Sequence, residues 1–372
     1  MEVNPAKKVP VIDVTDLYHP HQDEGDNFDI VAAFAYPEID LRAVTLDCTA
    51  PFRQPTAKNP GPGLLDDLRG PRDPGFIPVW QLNYIFNRNV PCAVGPFTQM
   101  KSPSDPKQDV PGFQQQGIEL ILRTLRESEE PVHIMTFSSV RAVAAAYNRD
   151  PGLFKEKVAL ISISAGASGS AFLEWNVALD PHAMVCLLRS DLPIAIFPDA
   201  SAYNQLPDQP PIGNAFSYDS HNTFWKMPNL HFFKGMDPRL KRYLDFAFGR
   251  VQRVDFLRAM DEDFPEDCNK ERYDSPYLIW ETGLWIVRTG RHLVRRADGT
   301  HRIIPPAEML PTDVVLPNEL RPCTVQVNDN GIYSFKETDK ATNRWVSYRG
   351  DPMENEAALR EALPALYQSF RP

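Results

Sequence analysis

The chain has 372 residues, 42% hydrophobic and 10% aromatic, enough for a sizeable core, which excludes global disorder. A formal charge of −10 and a pI of about 5.4 argue against nucleic-acid binding by phosphate neutralisation. Five scattered cysteines (Cys48, Cys92, Cys186, Cys268, Cys323) without a CxxC pair give neither a disulfide framework nor a structural zinc site.

In chain order, VPVIDVT is a short apolar β-branched run, the pattern of a strand buried on both faces. An irregular polar stretch, DLYHPHQDEGDN, leads to a helix over FDIVAAFAYPEI that stops near Pro37, and LRAVTLD follows as a second strand. This βαβ unit predicts a parallel sheet. The 36 prolines are about double ordinary usage. Twelve of them fall between Pro51 and Pro111, where regular structure is confined to the surroundings of PVWQLNYIF. Helical periodicity resumes in GFQQQGIELILRTLRESEE. PVHIMTF reads as a strand, SSVRAVAAAYNR as a helix opened by a serine, and VALISIS as a buried strand. DPHAMVCLLRSD is a helix with Asp180 at its cap and Pro181 in its first turn, and PIAIFPD is the next strand. Beyond Ala200 helices are expected at PRLKRYLDFAFGRV and SPYLIWETGLWIV. Asn330-Gly331 in CTVQVNDNGIYSF marks a hairpin, and MENEAALREALPALYQSF is a closing helix. The expected fold is α/β: a Rossmann-like, doubly wound, mostly parallel sheet with helices on both faces and a C-terminal helical and hairpin elaboration. Residues 1–372 read as one domain with a Pro-rich insert at about 51–111. No signal peptide is visible, and Val158–Leu173, the longest uncharged stretch, is too short and polar to span a bilayer. A cytoplasmic protein without a membrane partner is expected.

Ligands of open α/β sheets bind at the carboxyl ends of the strands. Six carboxylates (Asp13, Asp16, Asp23, Glu24, Asp26 and Asp29) fall within seventeen residues at the end of the first strand. They repel one another unless a cation or backbone N–H groups hold them, and hard oxygens suit Ca²⁺ or Mg²⁺. The bland alternative is a solvated acidic loop with Asp29 as a helix cap. His19 and His21 flank Pro20, but no third nitrogen or sulfur ligand lies nearby, which argues against zinc. The aromatic run SYDSHNTFWKMPNLHFF is either a wall that stacks on a base or core. Arg288, Arg291, Arg295, Arg296 and Arg302 read as a solvated face or an interface, with a phosphate site as the alternative. Trp175 reads as packing.

VIDVTDLYHPHQDEGDNFDIVAAFAYPEIDLRAVTLD resembles a stretched form of the N-terminal signature of the inosine-uridine nucleoside hydrolase family, DxD-P-G-x-D-D. LEWNVALDPHAMVCLLRSDLPIAIFPDA is similar to that family's EFN-x₃-DPEAA segment and following strand, and RYDSPYLIWETGLWIV stands where its C-terminal HDP segment does. The resemblance covers roughly residues 8–50, 113–200 and 235–372. It implies hydrolysis of a ribonucleoside's N-glycosidic bond with Ca²⁺. It also implies Asp16 as metal ligand and general base, Asp29, Asp274 and the Phe137 carbonyl as further ligands, and Glu174 and Asn176 on ribose hydroxyls. A homodimer or homotetramer acting on a small-molecule nucleoside is implied as well.

The departures are specific. The turn is expanded, and Phe28 precedes Asp29 where the family has aspartate, leaving Asp26 to contact the sugar. FSSVRAV replaces a glycine-rich turn, and Tyr273 stands where part of the family has the histidine that protonates the leaving base. Tyrosine is a weak acid at neutral pH, so His19, His21 and His221 are the other candidates for that acid. The alternatives are a catalytically degenerate nucleoside- or sugar-binding protein and a Mg²⁺ phosphohydrolase of haloacid-dehalogenase type. The latter lacks a downstream lysine and paired-aspartate motif here.

Overall fold

The computed structural model describes residues 8–21, 23–49, 73–169, 172–200, 218–264 and 270–372. Cys268, the loop just after Ala200 and much of the Pro-rich insert lie outside these residues.

Strand β1 (Val9–Thr15) turns Val11 to one core and Ile12 and Val14 to the other, all three fully buried. α1 (Gly25–Ala35) ends before Pro37, with Tyr36 extended as a residue preceding proline must be. β2 (Ile39–Leu46) returns parallel to β1, and α2 (Phe76–Ile85) and β3 (Cys92–Val94) complete the first half. The second run consists of α3 (Gly112–Glu127), β4 (Val132–Thr136), α4 (Arg141–Arg149), α5 (Pro151–Lys157), β5 (Val158–Ser164), α6 (Trp175–Leu179), α7 (Pro181–Leu188) and β6 (Ile194–Phe197). Asp180 caps α7 as its spacing predicts, accepting from the Ala183 N–H at 3.1 Å with Pro181 behind it. The expected serine cap of α4 is not formed. Val140 occupies the cap position, and Ser139 Oγ takes only the Arg141 N–H at 3.4 Å.

Then follow β7 (Trp225–Met227), α8 (Pro238–Phe248), α9 (Lys270–Tyr273), β8 (Tyr277–Ile279), α10 (Thr282–Thr289), β9 (His292–Arg295), β10 (His301–Ile304), β11 (Val314–Leu316), β12 (Glu319–Val327), β13 (Tyr333–Glu337), β14 (Arg344–Tyr348) and α11 (Pro352–Ser369). SPYLIWETGLWIV is therefore not one helix. Its first part pairs antiparallel with β7 (Trp225 opposite Ile279), and the helix starts only after Glu281. The β12–β13 hairpin turns at Gly331, whose φ of +79° is the left-handed conformation that the Asn-Gly signal anticipates.

The main sheet has the order β13-β12-β14-β6-β5-β4-β1-β2-β3, parallel from β14 to β3. This is the parallel α/β architecture that the alternating pattern predicts. From β1 the chain winds outward to β3 on one side, then from β4 outward on the other, so the winding reverses between β1 and β4. A crevice opens at such a switch point, at the carboxyl ends of its two strands. Among the described residues, no helix is long and apolar enough to cross a membrane.

Candidate active site

An open cavity of about 460 Å³ occupies that crevice. Asp16 follows β1, Phe137 follows β4, Ser164 ends β5 and Asp199 lies two residues past β6. Asp23 and Asp26 reach it from the start of α1, Glu174, Trp175 and Asn176 from the start of α6, and Trp280 and Glu281 from the start of α10. Strand ends and helix starts from the whole length of the sequence converge on one pocket.

Its acidic lining is electrostatically frustrated. Burial, followed by repulsion from Asp16, Asp23, Glu281 and Asp29, pushes the Asp26 carboxyl well above the usual range. Burial, with Asp13 and Glu281 adding to it, does the same to Asp29 beneath the cavity, although the Trp285 indole donates to Asp29 Oδ1 at 2.7 Å. Asp13 is pushed up to about 8, chiefly by burial, and Glu281 to about 7 for the same reason. Asp13 and Asp29 are hydrogen-bonded to one another, and among the described residues no other donor reaches the oxygens of Asp13, Oδ2 of Asp26 or Oδ2 of Asp29. Buried carboxylates short of donors match the donor set of a hard cation. No group of three or more acidic, histidine or cysteine side chains among the described residues is already arranged as a metal cage.

Glu174 and Asn176 also line the cavity and have hydrogen-bond partners, although burial and repulsion from Glu174 push the neighbouring Asp199 carboxyl upward. Glu174 caps α6, accepting from the backbone N–H groups of Gly166 (2.8 Å), Asn176 (2.9 Å) and Val177 (3.3 Å). Burial still raises its carboxyl to about 7 against the lowering effect of those donors. Asn176 Nδ2 donates to the Ser164 carbonyl at 3.0 Å and to Asp199 Oδ2 at 3.2 Å.

The sequence-derived residues divide accordingly. Asp16, Asp26, Glu174, Asn176 and Phe137 line the cavity, and Asp29 lies buried beneath it. Asp274 does not line it: this carboxylate is exposed and stands 3.0 Å from His231 Nε2. The acidic side chain that this part of the chain places in the cavity is Glu281, seven residues on, because β8 intervenes before the helix start. Tyr273 is turned into the core, where its hydroxyl donates to Asp245. His19 stacks on Phe246 with Nε2 2.7 Å from the Val251 carbonyl, and His221 lies between the Ser347 carbonyl and Glu337. None of these three lines the cavity. The aromatic run supplies core, with Phe224, Trp225 and Phe233 buried, whereas Trp175 and Trp280 form the aromatic walls. Arg288 is buried beside His133 rather than solvated, and burial lowers it to about 10. Glu281, Asp199 and Trp280 went unread in the sequence. The signal available for Asp199 was its place just past a buried strand.

No family model matches the chain. A pyrimidine-specific ribonucleoside hydrolase, RihA of Escherichia coli O127:H6 (strain E2348/69 / EPEC), is 32% identical over 180 residues, covering 46% of this chain and 55% of that protein. Over that stretch the chain is similar to pyrimidine-specific ribonucleoside hydrolases. It spans about half the length of the curated relatives it matches. In three dimensions the likeness to nucleoside hydrolases extends further. A plant nucleoside hydrolase, PpNRh1, is 17% identical with a TM-score of 0.52, over 97% of this chain and 100% of that one. A purine-preferring ribonucleoside hydrolase from Gardnerella vaginalis is 12% identical with a TM-score of 0.52, over 96% and 99%. The fold is therefore the nucleoside hydrolase fold.

Proposed function

We propose that the chain hydrolyses the N-glycosidic bond of a ribonucleoside with a Ca²⁺ ion held by the cavity's acidic residues. The observation that carries this reading is the cavity lining: crowded buried carboxylates, some with oxygens that lack a donor, together with a hydrogen-bonded Glu174–Asn176 pair and two tryptophans. Asp16, Asp26, Asp29 and Glu281, with the Phe137 carbonyl, are the groups that would hold the ion, Glu281 standing in for Asp274. When bound, a hard cation compensates these charges and lowers the pKa of water. Asp16 accepts the proton of the attacking water. Asn176 and Glu174 orient the sugar, where a misplacement of about 1 Å can cost roughly 10²-fold. Trp175 and Trp280 offer flat faces to a planar base. The leaving C–N bond passes through an oxocarbenium-like state, whose positive charge the carboxylates favour.

A binding protein without turnover is the second reading, because no histidine lines the cavity and Tyr273 faces the core. Among the described residues the lining contains neither lysine nor arginine, so the phosphohydrolase alternative finds no cationic side chain there to hold its anion. Base release from purine and pyrimidine nucleosides, measured with Ca²⁺, with EDTA and in Asp29→Ala, tests the proposal. Release that requires Ca²⁺ and is lost in Asp29→Ala supports the hydrolase. Ca²⁺-dependent melting without release from any nucleoside supports the binding protein instead.

A further inference from the structure

The amide of Asn176 has two N–H protons, and both are committed. One goes to the Ser164 carbonyl at 3.0 Å, the other to Asp199 Oδ2 at 3.2 Å. A backbone carbonyl only accepts, so the nitrogen end of the amide must face it. The oxygen end is thereby left for the cavity that Asn176 lines.

Asp199 is itself held on every side. Its Oδ1 accepts from Ser164 Oγ at 2.8 Å, its backbone N–H donates to the Gly166 carbonyl at 3.0 Å, and its carbonyl accepts from Trp280 Nε1 at 3.1 Å. It is 6% exposed, and the second contact on the Asn176 amide is held from two segments, the end of β5 with its following turn and the residues just before α10.

We propose that Asp199 is a positioning residue that, as the second acceptor beside the Ser164 carbonyl, holds the Asn176 amide with its oxygen toward the substrate, so that this subsite selects a hydroxyl that donates. The proposal rests on the nucleoside reading above and sharpens it: one ribose hydroxyl must be a donor, and a group that only accepts is refused. An acceptor placed there meets the amide oxygen and leaves both groups without a proton, which costs more than a missing contact.

The test compares ribonucleosides with analogues in which the 2′-, 3′- or 5′-hydroxyl is replaced in turn by methoxy or fluorine, which accept but do not donate. In the wild type, one of the three positions should show a loss in kcat/KM of roughly 10- to 100-fold. Asp199→Ala should reduce that selectivity to less than about threefold at the same position while changing the other two little. Asp199→Asn, which can still accept from Asn176, should restore it. Asn176→Ala should abolish it, and adding Asp199→Ala should change it no further. A purely structural role would lower the melting temperature and leave the selectivity unmoved. Equal tolerance of methoxy at all three positions in the wild type, or unchanged selectivity in folded Asp199→Ala and Asn176→Ala, overturns the proposal. If the wild type releases no base, the hydrolase reading fails separately. The same selectivity is then read from the shifts in melting temperature that the compounds produce, and an absence of selective binding there also overturns the proposal.

Discussion

Trp285 Nε1 donates to Asp29 Oδ1 at 2.7 Å across 256 positions of sequence, with both side chains buried. Trp285 lies one turn along α10 from Glu281, and its N–H donates to the Glu281 carbonyl at 3.2 Å. One helix therefore places a carboxylate in the cavity and a donor on the carboxylate beneath it. The indole holds one oxygen of Asp29, and among the described residues no donor other than Asp13 reaches Oδ2. Trp285→Phe keeps most of the ring and removes that donor. Partners behind metal ligands typically contribute 10- to 100-fold in affinity. Trp285→Phe should weaken Ca²⁺ binding by about that factor, read as the Ca²⁺ concentration needed to raise the melting temperature halfway. An unchanged midpoint would show that the indole only packs.

Glu281 and Asp274 make opposite predictions. Glu281 is buried in the cavity, whereas Asp274 is exposed against His231. Glu281→Gln keeps the shape and removes the charge, and should lower kcat/KM for base release by about 10²-fold or more. Asp274→Asn should change it by less than about twofold, as an exposed pair contributes little. A large loss in Asp274→Asn would mean that the segment before α10 is arranged differently in the working enzyme.

Stability should depend on pH and on the cation together. Burial raises Asp13 to about 8 and Glu281 to about 7, and pushes Asp26 and Asp29 upward, whereas unfolded carboxyls titrate near 4. Between these values the folded chain keeps protons that the unfolded chain has released, so metal-free stability falls as pH rises from about 4 to about 8. A bound cation favours the ionised carboxylates, so its stabilisation should grow over the same interval. Melting curves at pH 5 and pH 8, with EDTA and with excess Ca²⁺, check this. A Ca²⁺-induced shift no larger at pH 8 than at pH 5 would contradict it.

Most of the parallel half of the fold was legible because β1, β2, β4, β5 and β6 are short apolar runs and α1, α3 and α7 have their own period or cap, whereas the short β3, α5 and α6 carried no such signal. The long-range features were not legible either. β14 lies parallel beside β6 although 146 residues separate Phe197 from Arg344 and no local pattern records the pairing (344 − 197 − 1 = 146). Of the site, Asp16 and Asp26 belong to the acidic run that follows a recognisable strand, whereas Glu174 and Asn176 were reached only through the resemblance of LEWN to the EFN segment, because alone they read as ordinary loop residues. Glu281 was missed because YLI reads equally well as helix or strand. Pairing with β7 makes it a strand, which moves the helix start, and with it the acidic side chain, along the chain.

Gly166 joins the hairpin to Glu174 of the cavity. Its φ is +90°, and a Cβ there would overlap the Tyr333 ring, whose hydroxyl donates to the Ala165 carbonyl at 2.7 Å. The Gly166 N–H holds Glu174 Oε2 at 2.8 Å. Gly166→Ala thus adds left-handed strain to overpacking, together about 2–4 kcal/mol of lost stability by denaturant unfolding. It should also raise KM, because Tyr333 can yield only by moving the turn that holds Glu174. Adding Tyr333→Ala removes the overlap but not the strain. The double variant should then recover part of the KM defect relative to Gly166→Ala alone, even though Tyr333→Ala leaves a cavity of its own. If KM stays at its raised value in the double variant, the Tyr333 ring is not what transmits the change to Glu174.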